Sequence, residues 1–320
     1  MDHVIIGTRR SPLAIWQADF VRAALEKAWP ALGVELKALT TTGDRATGQA
    51  AQEAATKGLF TREIELALLE GSIDLAVHSL KDLPTEMTEG LHLAAVPPRE
   101  DPADALVAKN KWTLESLPQG AKILCGSQRR AAQLLARRKD LRVLPIHGNV
   151  GTRIRKLDDG DADATILACA GLTRLDLTGR ITQRLDPQDF LPAAGQGALA
   201  VQIRTDDRRM SELTSPLDHA PSRLAVTAER AFLAGLGGGC RLPTGAYGRF
   251  GSDGELLLTG LAARPDGSLL LKRTVSISCR DIPAAEAMGL ELARRLLAEG
   301  ADEILRQAGS DGPPSGEERT

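Results

Sequence analysis

Three groups of residues in this chain have types and spacings that can do chemistry. The first is the loop 236–243, LGGGCRLP. Gly237, Gly238 and Gly239 end a helical pattern and lead into Cys240, because a glycine run does not continue a helix cheaply and admits positive φ. Arg241 follows directly, and a neighbouring cation favours thiolate over thiol. On this loop alone a small buried cysteine in a turn is the commoner outcome, with a reactive or modified thiol as the alternative. The second group is HSLKDLPT (78–85), where Lys81 and Asp82 follow a buried apolar run at its C-terminal end. Adjacent residues on an extended segment point opposite ways. The two are therefore read either as a surface ion pair or as a cation and a carboxylate set side by side in a cleft.

The third group is cationic. Between positions 121 and 156 stand Lys122, Arg129, Arg130, Arg137, Arg138, Lys139, Arg142, Arg153, Arg155 and Lys156, opposed only by Asp140. Arg129, Arg130 and Arg153 fall near helix starts, where a cation opposes the helix dipole unless an anion compensates. They are read as anion-binding residues, and the arginine fork suits carboxylate. Arg137, Arg138 and Lys139 fall at a helix end, where cations are favourable, and are read as solvated surface.

The elements that must hold these residues follow from periodicity. A strand at 3–7 passes through Thr8–Arg10 to a helix with Ser11 as N-cap and Pro12 at its first position. A strand at 34–40 completes a β–α–β start, which indicates a parallel sheet. Residues 43–58 lack apolar periodicity and read as a long loop. A helix at 60–69 and strands at 74–77 and 91–95 lead to the proline-rich crossover 97–105. Strands at 122–125, 141–146 and 163–168 each run into a polar or basic helix start, the place where open α/β sheets bind ligands. A strand-like run at 198–203 returns the chain to the first unit. Beyond 217 a helix at 222–236, strands at about 245–250, 255–263 and 268–278, Asp-Gly turns and a closing helix at 282–299 form an antiparallel α+β unit.

Composition narrows the function classes. A formal net charge of −2 and an aromatic content of 3% argue against nucleic acid as a partner. No apolar run approaches a membrane span, and residues 1–12 do not read as a signal peptide. Cys125, Cys169, Cys240 and Cys279 show no metal or disulfide spacing, which suits a reducing cytoplasm. The five histidines show no ligand spacing either, so no metal is expected. A binding protein without catalysis, on a two-domain scaffold, is the competing class.

Nine segments taken together resemble the porphobilinogen deaminase family. They are GTRRSPLAIWQA (7–18), TTGD (41–44), KGLFTRE (57–63), DLAVHSLKDLPT (74–85), SQRRAAQL (127–134), GNVGTRIRKLD (149–158), ILACAGLTRL (166–175), LPAAGQGALAV (191–201) and AERAFLAGLGGGCRLPTGAY (228–247). The resemblance implies two periplasmic-binding-protein-like (type II) α/β domains flanking a cleft, plus a small C-terminal α+β domain with a three-stranded antiparallel sheet. The expected boundaries are 1–97 with 198–216, then 98–197, then 217–308, with a disordered tail at 309–320. It implies a transferase, hydroxymethylbilane synthase, that condenses four porphobilinogen molecules and releases ammonia. A dipyrromethane cofactor would be held by a thioether to Cys240, and Asp82 would be the catalytic carboxylate. Arg9, Ser11, Lys81, Ser127, Arg129, Arg130, Arg153 and Arg174 would bind cofactor or substrate carboxylates. Gln196 and Gly197 would line the cleft, and Thr42–Lys57 would form a mobile loop over it, which brings in Asp44 and Lys57. A cytoplasmic monomer is expected. Four departures stand out: His147 for a usual arginine, Cys125-Gly126 for Thr-Ser, Gln202 for glutamate and Arg241 for glutamine. His147 is a candidate for substrate binding when charged.

Overall fold

The computed structural model describes residues 3–42, 61–237 and 242–310. In chain order the first elements are β1 (His3–Arg9), α1 (Pro12–Ala28), β2 (Gly33–Leu39), α2 (Arg62–Leu69), β3 (Leu75–Ser79) and β4 (Leu91–Ala95). Next come β5 (Asp104–Ala108), β6 (Lys122–Leu124), α3 (Gln128–Arg137), β7 (Arg142–Leu144), α4 (Val150–Asp158), β8 (Ala164–Ala168), α5 (Cys169–Arg174) and β9 (Gln183–Leu185). The chain continues through β10 (Leu199–Arg204), α6 (Arg208–Thr214), α7 (Ala220–Gly235), β11 (Thr244–Phe250), β12 (Leu256–Ala263), β13 (Leu270–Ile277), α8 (Ile282–Leu296) and α9 (Asp302–Ser310).

Two five-stranded sheets carry the orders β2-β1-β3-β10-β4 and β7-β6-β8-β5-β9. The first three strands of each are parallel, and the fourth, β10 or β5, is antiparallel to both of its neighbours. The chain thus enters the second sheet through β5 and returns to the first through β10, and two connections join the lobes. This repeated order is the type II periplasmic-binding-protein arrangement. Parallel pairing gathers the C-terminal ends of β1 and β3 at one edge, and those of β6 and β8 at an edge of the other sheet. Such edges are where open α/β sheets bind ligands.

Each sheet is closed by apolar packing. Val4, Ile6, Val21, Leu25, Leu75, Val201 and Ile203 form the core between α1 and the first sheet. Leu106, Ile123, Leu134, Ile166 and Phe190 fill the second. The three-stranded sheet β11-β12-β13 packs on α7 and α8 through Phe232, Leu258 and Leu292. Among the described residues no helix is long and apolar enough to cross a membrane.

Three features differ from the sequence reading. The segment after β3 is not extended. Residues Leu80–Asp82 form a 3₁₀ turn closed by the Leu83 N–H on the Leu80 carbonyl at 3.2 Å, with Leu80 buried as its anchor. β5 and β9 occupy stretches read as crossover or left unassigned. Both are short, and their partners lie far along the chain. The closing helix read at 282–299 is not the last element either. It turns at Gly300 into α9, which buries Ile304 and Leu305 and runs to Ser310, so the first two residues of the expected disordered tail are helical. Residues 311–320 lie outside the described set.

Candidate active site

The start of α1 is built as its residues dictate. Ser11 caps it by accepting from the Ala14 N–H at 3.3 Å, with Pro12 in the first turn. In the second lobe Ser127 caps α3 through the Arg130 N–H at 3.5 Å. A capping hydroxyl accepts with its oxygen and keeps its own proton to donate, so each serine offers an O–H to a ligand. Arg9 ends β1, and Arg9, Ser11, Gln17, His78 and Asp82 line one cavity at that edge of the first sheet.

Lys81 and Asp82 sit in the 3₁₀ turn, Lys81 half-buried and Asp82 exposed. The Lys81 ammonium donates to Gln196 Oε1 at 3.3 Å. Burial pushes the Lys81 pKa down to about 8; Asp82 opposes this and Arg130 adds to it. The Asp82 carboxylate also acts on Arg153 of α4 and on His78. Arg153 is lowered by burial and by Arg130, and its Nε donates to the Gly148 carbonyl at 2.9 Å. Lys81, Asp82, Arg130 and Arg153 therefore share one electrostatic environment between the lobes.

Asp104, at the start of β5, is wholly buried and takes both neighbouring arginines. Arg129 reaches Asp104 Oδ2 at 2.7 Å and also the Leu191 carbonyl. Arg130 reaches Asp104 Oδ1 through Nε at 2.9 Å and through a terminal nitrogen at 2.6 Å. Burial pushes the Asp104 carboxyl up, but Arg129 and Arg130 push it further down, well below the usual carboxylate range. The sequence reading set an external anion against these two arginines. Asp104 supplies half of that compensation from within.

Gln196 is the joint of the site. Its Nε2 donates to the Pro102 carbonyl at 2.8 Å and to Asp104 Oδ1 at 2.9 Å, and its Oε1 accepts from Lys81 and Arg130. Gly197 has φ of +87°, and an added Cβ would stand 2.4 Å from the Glu100 carbonyl, so the turn requires glycine. Its carbonyl accepts from Arg174 at 2.6 Å. Burial lowers Arg174 to about 10, and its guanidinium lies over the Trp16 ring of α1 at 5.7 Å.

Two matches to family models now bear on the whole chain. Residues 4–212 match the model described as "Porphobilinogen deaminase, dipyromethane cofactor binding domain", and residues 223–298 match "Porphobilinogen deaminase, C-terminal domain". The chain belongs to the porphobilinogen deaminase family. A curated porphobilinogen deaminase of Desulforudis audaxviator is 50% identical over 302 residues, covering 94% of this chain and 96% of its own. That of Nitratidesulfovibrio vulgaris is 44% identical over 313 residues, covering 98% and 99%. Among solved structures, the methionine-binding protein MetQ aligns with a TM-score of 0.44 at 14% identity, covering 67% of this chain and 89% of its own. A putative methionine-binding lipoprotein from Bacillus subtilis aligns with a TM-score of 0.41 at 12% identity, covering 69% and 92%.

Of the residues the sequence singled out, Arg9, Ser11, Lys81, Asp82, Ser127, Arg129, Arg130, Arg153, Arg174, Gln196 and Gly197 fall at the facing edges of the lobes or on the connection between them. His147 lies half-buried between β7 and α4, and burial, Arg153 and Lys156 all lower its pKa. Cys240, Arg241, Asp44 and Lys57 lie outside the described residues. At Cys125-Gly126 the thiol is buried and donates to the Ser127 carbonyl at 3.3 Å. An added Cβ on Gly126 would stand 2.4 Å from the Ile146 carbonyl, so here the bare glycine lets β6 and β7 close up at their ends.

Sequence reasoning missed Asp104, Arg99, Glu229 and Arg230. Arg99 binds the wholly buried Glu229 at 2.6 and 3.0 Å and the Gln196 carbonyl at 2.8 Å. Glu229 also accepts from the Gly195 and Gly248 N–H groups, each at 2.7 Å. This pair ties the crossover, the turn at Gln196 and the last unit together. The signal was present: Glu229 stands four residues after Ala225 and three before Phe232, on the apolar face of α7.

Proposed function

We propose that this chain condenses four porphobilinogen molecules head to tail, releases ammonia at each addition, and frees hydroxymethylbilane by addition of water. The observation that supports this most is the placement of Asp82 among the cations Lys81, Arg130 and Arg153 in a chain matched along nearly its whole length to the family. Porphobilinogen carries an acetate and a propionate, so the growing product is rich in carboxylates. Lys81, Arg129, Arg130 and Arg153 outnumber Asp82 and Asp104 in the site, and that excess of positive charge suits a polycarboxylate.

The same excess fits a dipyrromethane, which bears four carboxylates of the same kinds. Attached through Cys240, that group supplies a covalent primer, so intermediates do not diffuse away. Asp82 stabilises the positive charge that develops on the incoming substrate as its ammonia leaves, and accepts from the pyrrole N–H. Arg9, Lys81 and Arg153 bind carboxylates, together with the N–H groups of Arg129, Arg130 and Arg174 not used internally. Ser11 and Ser127 donate their O–H groups, and Gln196 and Gly197 hold the lobes in register. The domains divide as 1–97 with 198–216, 98–197 and 217–308, and the protein works as a cytoplasmic monomer without nucleic acid or membrane.

Intact mass of the purified active protein tests this reading. The expected mass exceeds that of the 34.0 kDa chain by two porphobilinogen-derived units, and Cys240→Ser lacks the excess. An active enzyme of unmodified mass refutes it.

A further inference from the structure

A buried chain of hydrogen bonds runs from Glu65 through Gln202 to His78, which lines the same cavity as Asp82. Its geometry follows from register. His78 of β3 pairs with Ala200 of β10, and Ala76 pairs with Gln202, so His78 and Gln202 are diagonal neighbours on one face. The two alanines beside them leave room for a polar link, and α2 brings Glu65 over it. All three residues are buried.

The direction of the link is set by donor chemistry. The Glu65 carboxylate only accepts, and its Oε2 takes the Thr88 hydroxyl at 3.0 Å. Gln202 Nε2 must therefore face it, and donates to Oε1 at 2.9 Å. That turns Gln202 Oε1 toward His78 Nε2 at 3.2 Å. An amide oxygen accepts only, so the proton on this contact belongs to His78.

We propose that Gln202 is a positioning residue that fixes His78 as the Nε2–H tautomer, while burial keeps the ring uncharged, so that no imidazolium weakens the Asp82 carboxylate beside it. The groups acting on His78 are Glu65 of α2, Gln202 of β10, Asp82 of the 3₁₀ turn and Arg9 of β1. Burial, helped by Arg9, outweighs Glu65, the Gln202 hydrogen bond and Asp82, which all raise it, and lowers His78 to about 4, in keeping with a neutral ring. A glutamate at 202 would set a carboxylate directly against His78 Nε2, where the amide oxygen now stands, and favour the charged ring. An imidazolium in the cavity would then offset part of the negative charge that Asp82 presents to substrate. The effect on catalysis rests on the role given to Asp82 above; the tautomer does not.

The test uses the holoenzyme labelled with ¹⁵N-histidine and long-range ¹H–¹⁵N spectra from about pH 5 to 8.5. His78 is expected to show the Nε2–H pattern without titrating, and Gln202→Glu to bring its titration into that range, a shift of about 2 units. In parallel, kcat/KM of Gln202→Glu should fall on the acid side as His78 takes its proton. A wild-type His78 that carries its proton on Nδ1, or that titrates near ~6.5, overturns the proposal whether or not the variant folds. A titrating His78 in Gln202→Glu with an unchanged kcat/KM profile overturns the link to Asp82. Wild-type protein with the expected tautomer but no porphobilinogen turnover refutes the proposed function instead.

Discussion

The guanidinium of Arg230 donates to the carbonyl of Leu83 at 3.2 Å, one residue past Asp82. The same group reaches the carbonyls of Pro84 at 2.6 Å and Thr85 at 3.2 Å. Arg230 stands on α7, whose end leads toward Cys240, so one side chain ties the unit of the proposed attachment residue to the turn of the proposed catalytic one. A lysine keeps the charge but cannot span three carbonyls with one ammonium. Arg230→Lys should lower kcat about tenfold with KM changed less than about twofold, because the loss is in aligning the reacting groups. Steady-state kinetics checks this, with intact mass showing that the cofactor is still loaded. An unchanged kcat would mean that the turn is held by its own 3₁₀ bond and the buried Leu80.

Asp82 is argued to act by charge. Asp82→Asn is nearly isosteric and keeps hydrogen-bonding capacity, but it cannot offset a developing positive charge. Turnover should fall by about a hundredfold, on the order of 3 kcal/mol, with fold and bound cofactor retained. Rate measurements beside circular dichroism and intact mass decide the matter. A variant within about threefold of wild type would place the chemistry on another group.

Lys81 gives the site an alkaline limit. Burial, helped by Arg130, lowers its pKa to about 8 in the free enzyme. A lowered lysine is charged below that value and neutral above it, so its hold on a substrate carboxylate fades as pH rises through about 8. A bound carboxylate favours the ammonium, so kcat should persist to higher pH than kcat/KM. Lys81→Arg should remove the alkaline limb. A wild-type kcat/KM that stays level to about pH 9.5 would show that Lys81 does not bind substrate through its charge.

His147 titrates in the opposite setting. Burial, Arg153 and Lys156 lower its pKa below the ordinary histidine value, so it is neutral at pH 7 before substrate arrives. Any help from its charge is present at low pH and is lost as pH rises through that lowered value. The kcat/KM of His147→Arg relative to wild type should therefore climb as pH rises through that lowered value and level off above about 7. A ratio still climbing above about pH 7.5 would mean that bound carboxylates outweigh Arg153 and Lys156.

Much of this site could be read before the fold. Ser11-Pro12 announces a capped helix start by residue type alone, and Lys81-Asp82 announces a strand end through the apolar run before it. What failed to show were contacts whose partners are distant in sequence. Asp104 lies 25 and 26 residues from the arginines it binds, and β5 pairs with strands far along the chain. Local periodicity carries no information about either. The turn at Leu80–Asp82 was missed for a different reason. A single 3₁₀ turn has no period to detect, and its one hydrogen bond is set by where Leu80 is buried.

Asp104 bears the heaviest structural demand in the site. Among the described residues it is the one carboxylate that touches both Arg129 and Arg130, and all three are buried. Asp104→Asn keeps the shape but leaves two buried guanidiniums without a countercharge. Breaking a buried pair in this way costs about 3 kcal/mol or more, since the remaining charge has lost both water and partner. The pH dependence follows from the direction of the shift. The Asp104 carboxyl is held below its unfolded value, so its contribution is fully present above that value and is lost as pH falls below about 4. Urea unfolding of wild type and Asp104→Asn at pH 7 should differ by that amount, and the gap should narrow progressively below about pH 4. If the two proteins unfold alike at pH 7, the arginines have another partner, and a bound polycarboxylate is the first candidate. Repeating the comparison on protein made without cofactor, through Cys240→Ser, separates the two: the gap should widen there if the cofactor carboxylates share the load with Asp104.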